Sequence, residues 1–166
     1  MEYMVKYAPA EGGVMLQTED EISACTMAIG AAYAGARAFT ATAGPGLSLM
    51  AEAIGLAEMT ETPLVVIDTQ RGGPSTGLPT KHEQSDLMAA IYNTHGDTAK
   101  IVISPSSIEE SFYDTFEAFN LAEEYQCPVI VLSDLQLSLG KQSVTSLDYG
   151  KLQVRRGKLV KDGLPE

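Results

Sequence analysis

Short apolar runs alternate with helical patterns along this chain, and the alternation limits the fold more than any other feature of the sequence. The clearest run, residues 64–67, reads Leu-Val-Val-Ile without a polar break. A strand that is buried on both faces shows such a run, and strands separated by helices pair in parallel. Five strands are predicted, at residues 14–17, 38–42, 64–68, 101–103 and 129–132. The pattern predicts an α/β fold of three layers, with a mostly parallel twisted sheet and helices on both faces.

Four segments have the apolar spacing of helices, at residues 22–33, 47–59, 87–92 and 108–125. Ser107 and Glu110 have the spacing of a capping box, and so do Thr18 and Glu21. The helix at 22–33 is rich in alanine and contains Gly30, although glycine inside a helix costs about 1 kcal/mol relative to alanine. Two explanations remain open, close approach of another backbone, subunit or ligand, and tight packing on the chain's own sheet.

Composition and charge exclude several classes of protein. The 166 residues are 45% apolar, which is typical of a globular protein rather than a disordered chain. The net charge of −11 repels phosphate backbones and argues against nucleic acid binding. No apolar run approaches the roughly 20 residues of a membrane span. Cys25 and Cys127 stand alone in apolar stretches, as in a reducing compartment. We therefore expect a cytoplasmic protein that binds neither nucleic acid nor membrane.

The charge also divides the chain into two parts. Residues 140–166 hold six Lys or Arg against three Asp or Glu, so the negative charge belongs to residues 1–139. The basic part has no apolar periodicity and several glycines and serines. We predict one domain at 1–139 and a linker at 140–166 that leads toward a further domain.

Ligands of open parallel sheets bind beyond the carboxyl ends of the strands, where four loops are predicted. They comprise residues 18–21, 43–48, 69–80 and 133–134. In the first loop, Glu21 either caps its helix or serves a ligand, and the spacing alone favours the cap. In the second, Gly44-Pro45-Gly46-Leu47 either makes a plain turn or holds an anion or a ring edge at a helix start.

The third loop places Arg71 directly after a buried strand, among glycines and hydroxyl side chains. An arginine there either captures a carboxylate or phosphate with both ends of its guanidinium, or neutralises Asp68 or another acid. His95 precedes a strand and is a candidate for a cleft, whereas His82 is typical of a surface residue. The sequence has no phosphate-binding GxxxxGK[ST] or GxGxxG motif, no GxSxG nucleophile and no His/Cys cluster for a metal.

Four stretches of the sequence together resemble one known family. They are LQTEDEISACTMAIGAAYAGARA, TATAGPGLSLMAEAIGLAE, TQRGGPSTGLPTKHEQSDL and FEAFNLAEEYQCPVIVLSD. They are similar to the pyrimidine-binding domain of the alpha subunit of 2-oxoacid:ferredoxin oxidoreductases, which use thiamine diphosphate. The resemblance covers roughly residues 2–160, and the glycine and proline pattern of residues 70–80 is its most specific part. It implies the thiamine diphosphate-binding fold in its pyrimidine-domain form.

The resemblance also implies a reaction. Such enzymes decarboxylate a 2-oxoacid, pass electrons through iron–sulfur clusters to ferredoxin, and transfer the acyl group to coenzyme A. One glutamate of this domain hydrogen-bonds the aminopyrimidine ring and activates the cofactor. In related beta chains of pyruvate dehydrogenase this glutamate lies nine residues before the glycine of a GAA.AGAR run. That glycine is Gly30 here, which makes Glu21 the implied catalytic residue and Glu19 the second choice.

Further roles come from the same resemblance. Arg71 matches a position that binds the substrate carboxylate, and the neighbouring hydroxyls of Ser75 and Thr76 suit a second carboxylate, which favours 2-oxoglutarate over pyruvate or branched-chain acids. The cofactor-binding residues Gly44, Pro45, Gly46 and Leu47 match the segment along the pyrimidine ring. His95 lies one position from a histidine that related beta chains place beside the active site, and is a second catalytic candidate.

The sequence also departs from the family pattern. In the family, a YPITP element with its strand and loop comes just upstream of this region, and a second alpha-chain domain follows it; we expect this sequence to be a fragment without these parts. The resemblance implies that the diphosphate- and Mg²⁺-binding GDG-type motif and the cluster cysteines belong to the partner beta subunit. We therefore expect a beta subunit, a homodimer of heterodimers, and half of a composite site. Alternatives are a non-catalytic assembly module, and a transketolase-like or lipoyl-dependent enzyme, which the 70–80 loop disfavours.

Overall fold

The computed structural model of the chain describes residues 2–158, 160 and 163. Its sheet has four strands, all parallel, in the order β1-β2-β4-β3. The strands are Phe39–Thr42 (β1), Leu64–Gln70 (β2), Ile101–Ile103 (β3) and Pro128–Asp134 (β4). They correspond to four of the five predicted strands, and the predicted parallel α/β architecture is confirmed.

Seven α-helices connect and flank these strands in the described residues. They are Glu2–Tyr7 (α1), Glu21–Tyr33 (α2), Pro45–Leu49 (α3), Ala51–Met59 (α4), Leu87–Tyr92 (α5), Ile108–Tyr125 (α6) and Leu135–Leu139 (α7). Short 3₁₀ turns follow at Ala8–Glu11 and Tyr149–Lys151. None of the helices in the described ranges is both long and apolar enough to cross a bilayer.

Alternate side chains of the strands build two cores on opposite faces of the sheet. On one face, Leu64 and Val66 of β2 pack with α2, α3, α4 and α5. On the other face, Val65 of β2 packs with Ala118 and Ala122 of α6. Helices thus cover both faces, as the three-layer prediction requires, and the central strands β2 and β4 are buried because they lie between them.

The predicted strand at 14–17 is wrong. This segment has no strand pairing, and Val14 and Leu16 are 78% and 65% exposed. Its apolar residues resemble a strand locally, but a strand needs a neighbour for its backbone hydrogen bonds, and β1 pairs only with β2 in the described sheet. Helix α1 precedes it and was not predicted; it contributes no buried residue.

The predicted helix at 47–59 is interrupted at Met50. The Met50 amide donates to the carbonyl of Leu47, three residues back, which tightens the chain between α3 and α4. Leu47 and Met50 are both buried in the core, 1% and 0% exposed. Helix α3 begins at Pro45, two residues before the predicted start, so that part of the Gly-Pro-Gly turn is helical.

Capping differs in detail from the sequence prediction. Asp20, not Thr18, caps α2, because its Oδ1 accepts the amide of Ser23 at 2.8 Å. This hydrogen bond lowers the pKa of Asp20. Ser107 caps α6 as predicted, but the Glu110 carboxylate accepts the amide of Ser106 rather than that of Ser107. At the start of α2, by contrast, the carboxylate of Glu21 accepts no backbone amide in the described residues, so it is available to bind a ligand.

The basic segment predicted as a linker lies partly on helix α6. Arg156 pairs with the buried carboxylate of Glu123 at 2.7 Å, and Arg37 pairs with the other oxygen of the same group at 2.9 Å. Arg155 pairs with Glu117 and Glu124 on the exposed side of α6. Residues 159, 161–162 and 164–166 of the predicted linker lie outside the described residues, and its role as a linker stays a prediction.

Candidate active site

The carboxylate of Glu21 lies at the carboxyl end of the sheet, against the turn that follows β1. Helix α2 packs against β1, and its first residue, Glu21, lies with Thr42, the last residue of that strand, against Gly46. A β-carbon placed on Gly46 would lie 2.9 Å from Glu21 Cγ and 3.0 Å from Glu21 Oε1, and would overlap the Thr42 hydroxyl. Gly46 is therefore the residue type that this close approach requires.

The same turn contacts Arg71. Gly44 has a φ of +61°, and a β-carbon there would lie 3.2 Å from Arg71 Cγ and 3.6 Å from Arg71 Nε. Glycine at this position serves both the backbone conformation and the close contact. Glu21 thus packs against Gly46 and Arg71 packs against Gly44. The two predicted site residues therefore lie at the same turn.

Arg71 begins a loop that folds back on itself. Its Nη1 donates to the carbonyl of Thr76. Gly72 and Leu78 form an isolated antiparallel bridge, and Gly77, at φ +52°, has no room for a side chain because a β-carbon would overlap the Gly72 carbonyl. These contacts give the loop a defined shape that holds the guanidinium.

Arg71 makes no ion pair with Asp68, one of the two alternatives for its role. No carboxylate lies within 4.0 Å of its guanidinium in the described part of the chain. Ser75 and Thr76 are exposed, and no hydrogen bond to their hydroxyls is formed among the described residues. A guanidinium without a carboxylate partner, beside two unengaged hydroxyls, suits an anionic ligand.

Asp68 is the site residue whose role sequence reasoning missed. It is 0% exposed, and its Oδ1 accepts the backbone amide of Gly44 at 3.1 Å. Burial, together with the nearby carboxylate of Asp86, raises the pKa of Asp68 to about 7. An acid that ends a buried apolar strand is the sequence signal for it, but the sequence does not show which amide it binds.

Asp86 and its neighbours connect the loop to the sheet. The side-chain carbonyl of Gln70 accepts the amide of Asp86 at 2.9 Å. Burial and the carboxylate of Glu83 raise the pKa of Asp86, and Arg71 opposes part of that rise. Gln84 donates to Asp134 at the end of β4. The segment after the arginine loop is thus fixed to two strand ends.

The other candidates lie in different surroundings. His95 is almost fully exposed, and its Nε2 is 3.8 Å from a carboxylate oxygen of Glu52, which is also exposed. Leu47 points into the core, and its carbonyl accepts a hydrogen bond from Asn93. Glu19 is exposed and its carboxylate forms no hydrogen bond or ion pair in the described region, whereas Glu21 is half-buried against Gly46. The geometry favours Glu21 over Glu19.

Comparison with known proteins places this chain in a family. A family model described as pyruvate flavodoxin/ferredoxin oxidoreductase, thiamine diphosphate-binding, matches residues 1–163. The chain belongs to this family. The resemblance noted in the sequence is thereby confirmed, and so is the assignment of the domain to a thiamine diphosphate-binding fold.

Individual relatives agree with the family. The 2-oxoglutarate synthase subunit KorA of Methanothermobacter thermautotrophicus is 48% identical over 176 residues, covering 99% of this chain and 47% of the relative. The 2-oxoglutarate oxidoreductase subunit KorA of Mycobacterium tuberculosis is 47% identical over 152 residues, covering 92% and 23%. The chain therefore spans about half of the first relative's length and less of the second's.

A solved structure is also similar. It is 2-oxoglutarate:ferredoxin oxidoreductase from Magnetococcus marinus with 2-oxoglutarate, coenzyme A and succinyl-CoA bound. The match has a TM-score of 0.81 and 54% identity, and covers 82% of this chain and 24% of that one. The agreement in both fold and sequence confirms the three-layer architecture.

The residues present fit a thiamine ring. In the described residues no hydrogen bond or ion pair engages the Glu21 carboxylate, which is half-buried beside the Gly44–Gly46 turn. Gly44 and Gly46 carry no side chains of their own and are buried under Arg71, Glu21 and Thr42. A half-buried carboxylate without a partner is the kind of acceptor that an aminopyrimidine ring needs. Glu21 is the residue that would hold the ring, with the Gly44–Gly46 turn beside it.

Proposed function

We propose that this chain is part of the alpha subunit of a 2-oxoglutarate:ferredoxin oxidoreductase. The observation that carries the proposal is that the side chains of Glu21 and Arg71 both pack against one turn, Gly44–Gly46. It brings one carboxylate and one guanidinium together at the carboxyl end of a parallel sheet, where ligands of this class of fold bind. The names of the relatives and of the similar solved structure support 2-oxoglutarate as the substrate.

Glu21 is the proposed catalytic residue. Thiamine diphosphate, when bound, supplies a carbon nucleophile and accepts the electron pair left by decarboxylation. Glu21 Oε1 exchanges a proton with the pyrimidine ring and holds one tautomer of it. Gly44, Pro45, Gly46 and Leu47 form the turn that is proposed to lie along the ring. The half-buried position of Glu21 keeps the carboxylate from competing water.

Arg71 is the proposed substrate clamp. Its guanidinium binds a carboxylate of the 2-oxoacid with two parallel hydrogen bonds, after exchanging its contact with the Thr76 carbonyl for the substrate. The hydroxyls of Ser75 and Thr76 donate to the second carboxylate of 2-oxoglutarate. Pyruvate and branched-chain acids lack that group, so the pair favours the dicarboxylate. His95 ranks below Glu21 as a catalytic candidate, because its ring is almost fully exposed beside Glu52.

The remaining parts of the reaction are assigned to a partner. The beta subunit holds Mg²⁺, the diphosphate and the iron–sulfur cluster, passes electrons to ferredoxin, and completes the site for coenzyme A. Two such heterodimers associate, with the alanine- and glycine-rich face of α2 at the contact. Gly30 supports this arrangement, because it is exposed and nothing lies within 4 Å of where its β-carbon would be.

Reconstitution with the beta subunit tests the proposal. Initial rates of ferredoxin reduction are compared for 2-oxoglutarate, pyruvate and a branched-chain 2-oxoacid, with thiamine diphosphate, Mg²⁺ and coenzyme A present. We expect the highest kcat/KM for 2-oxoglutarate and no turnover by the chain alone. Equal rates for all three acids would contradict the substrate, and no turnover with any acid in the assembled enzyme would contradict the reaction.

A further inference from the structure

A fully buried carboxyl group lies under the site without being part of its surface. Asp68 is 0% exposed and lies between β1 and β4, where its register partners are Thr42 and Leu132. One of its oxygens accepts the amide of Gly44 at 3.1 Å, and the other has no hydrogen-bond partner in the described residues. Burying an unpaired carboxyl oxygen is costly, so the group is not explained by stability alone.

The Gly44 amide is the only hydrogen-bond partner of the Asp68 side chain in the described residues, and Gly44 is central to the site. Its α-carbon lies against Arg71, while Gly46, two residues on, lies against Glu21. The φ of +61° at Gly44 is a conformation that the chain adopts freely only with glycine, and glycine has many alternatives. A hydrogen bond at this amide selects one of them.

The charge around Asp68 favours its neutral form. Burial, and after it the carboxylate of Asp86, raises the pKa of Asp68; Oδ2 of Asp86 is also buried and has no partner in the described residues. Burial and Glu83 raise the pKa of Asp86, Arg71 lowers it, and Glu21 lies against Gly46, two residues after Gly44. A neutral carboxyl accepts the Gly44 amide through a carbonyl oxygen, as an asparagine side chain does.

We propose that Asp68 is a positioning residue that holds the Gly44–Gly46 turn in the conformation that sets Glu21 beside the cofactor and Arg71 beside the substrate. The inference rests on the proposed function for those two roles. It requires only an acceptor oxygen at this position. Asparagine therefore replaces Asp68 with little loss, whereas a side chain that cannot reach the amide releases the turn.

The first test measures the turn itself in the assembled enzyme. Hydrogen–deuterium exchange followed by mass spectrometry on peptides spanning residues 42–50 compares the wild type with D68N and D68A. We expect protection in the wild type and in D68N, and exchange about tenfold faster or more in D68A, since a hydrogen bond at a buried amide is lost. Wild-type protection in D68A would overturn the proposal.

The second test separates positioning from simple destabilisation. D68A should lower kcat with 2-oxoglutarate about tenfold or more, because small misplacements of catalytic groups are costly, and should weaken thiamine diphosphate binding measured by calorimetry. D68N should stay close to the wild type in both. D114A is the matched control, since Asp114 is a half-buried acid on α6, on the opposite face of the sheet, and should change neither.

The outcomes keep the two proposals apart. If D68N loses kcat as D68A does, Asp68 does not act by holding the turn and the inference is overturned. If the wild type has no activity with 2-oxoglutarate, the proposed function fails, while the exchange measurement still decides whether Asp68 holds Gly44. Should D68A fail to assemble, D68S replaces it, because a serine hydroxyl is one bond too short to reach the amide.

Discussion

Oε1 of Glu21 would lie 3.0 Å from a β-carbon on Gly46, so the carboxylate and the backbone turn occupy adjoining space with nothing between them. This contact joins the start of α2 to the segment after β1, two parts of the chain separated by 25 residues. The glycine at 46 is what allows it. A side chain placed at Gly46 therefore tests the importance of this contact.

G46A should disrupt the site. The new methyl group would overlap the Thr42 hydroxyl and press on Glu21 Cγ, and overpacking of this kind costs roughly 1–3 kcal/mol of unfolding free energy. The fall in kcat should be larger than the loss of unfolding free energy alone would cause, because the displaced group is the proposed catalytic carboxylate. Urea titration and initial rates measure the two effects.

G30A is the matched control for that substitution. It adds the same methyl group to exposed α2, where nothing lies within 4 Å, and should stabilise the isolated helix by roughly 0.5–1 kcal/mol. If G30A weakens the association of the two heterodimers, the exposed face of α2 is the proposed interface between them. If G46A leaves turnover at the wild-type level, the contact between Glu21 and the turn has no catalytic importance.

R71A should raise KM for 2-oxoglutarate about 10- to 100-fold, with a smaller effect on kcat. A charge-assisted hydrogen bond contributes roughly 1.5–3 kcal/mol, and tenfold corresponds to about 1.4 kcal/mol. R71K should recover part of the loss, since lysine keeps the charge without the paired donors. K81A, an exposed cation of the same loop, is the control; an equal effect from it would assign the loss to net charge alone.

D68N should flatten the pH dependence of stability. The folded state holds the Asp68 proton up to a pKa of about 7, against 3.8 for the unperturbed group. Between these values the folded state binds more protons than the unfolded one, so the free energy of unfolding falls as pH rises and levels above pH 7. The drop in Tm between pH 5 and pH 8 should be smaller in D68N. Parallel curves would show that Asp68 is ionised throughout.

D20A should destabilise the chain by about 1 kcal/mol, because it removes the oxygen that accepts the Ser23 amide. T18A should change the unfolding free energy by less than about 0.5 kcal/mol, since Thr18 donates only to the carbonyl of Asp20. Thermal unfolding of both variants compares them. A larger effect of T18A would restore the capping box that the sequence pattern indicated.

The pattern of apolar residues predicted the fold correctly where a strand is buried on both of its faces. The run at residues 64–67 is a central strand because helices cover both of its faces, and the amphipathic pattern of α6 is correct to the residue. The same local signal failed at residues 14–17, which lack a neighbouring strand. Pairing is a property of the whole sheet, so a segment of three apolar residues and a glutamine cannot reveal it.

The candidate site was predictable only in part, for a related reason. Their positions in loops at strand ends predicted Glu21, Arg71 and the Gly44–Gly46 turn as site candidates. In the structure these residues lie together. The role of Asp68 was not visible, because its hydrogen bond to Gly44 joins β2 to the turn after β1, two segments 24 residues apart in the sequence. Nor does the sequence show that His95 lies exposed beside Glu52.

The most direct test of the account concerns Glu21 itself. In the assembled enzyme, the exchange rate of the C2 proton of bound thiamine diphosphate is measured by NMR for the wild type, E21Q and E19Q. If Glu21 activates the cofactor, E21Q should slow this exchange by at least about 100-fold, the usual lower range for a positioned acid or base, while E19Q should not. A wild-type exchange rate in E21Q, with the cofactor bound, would contradict the central claim.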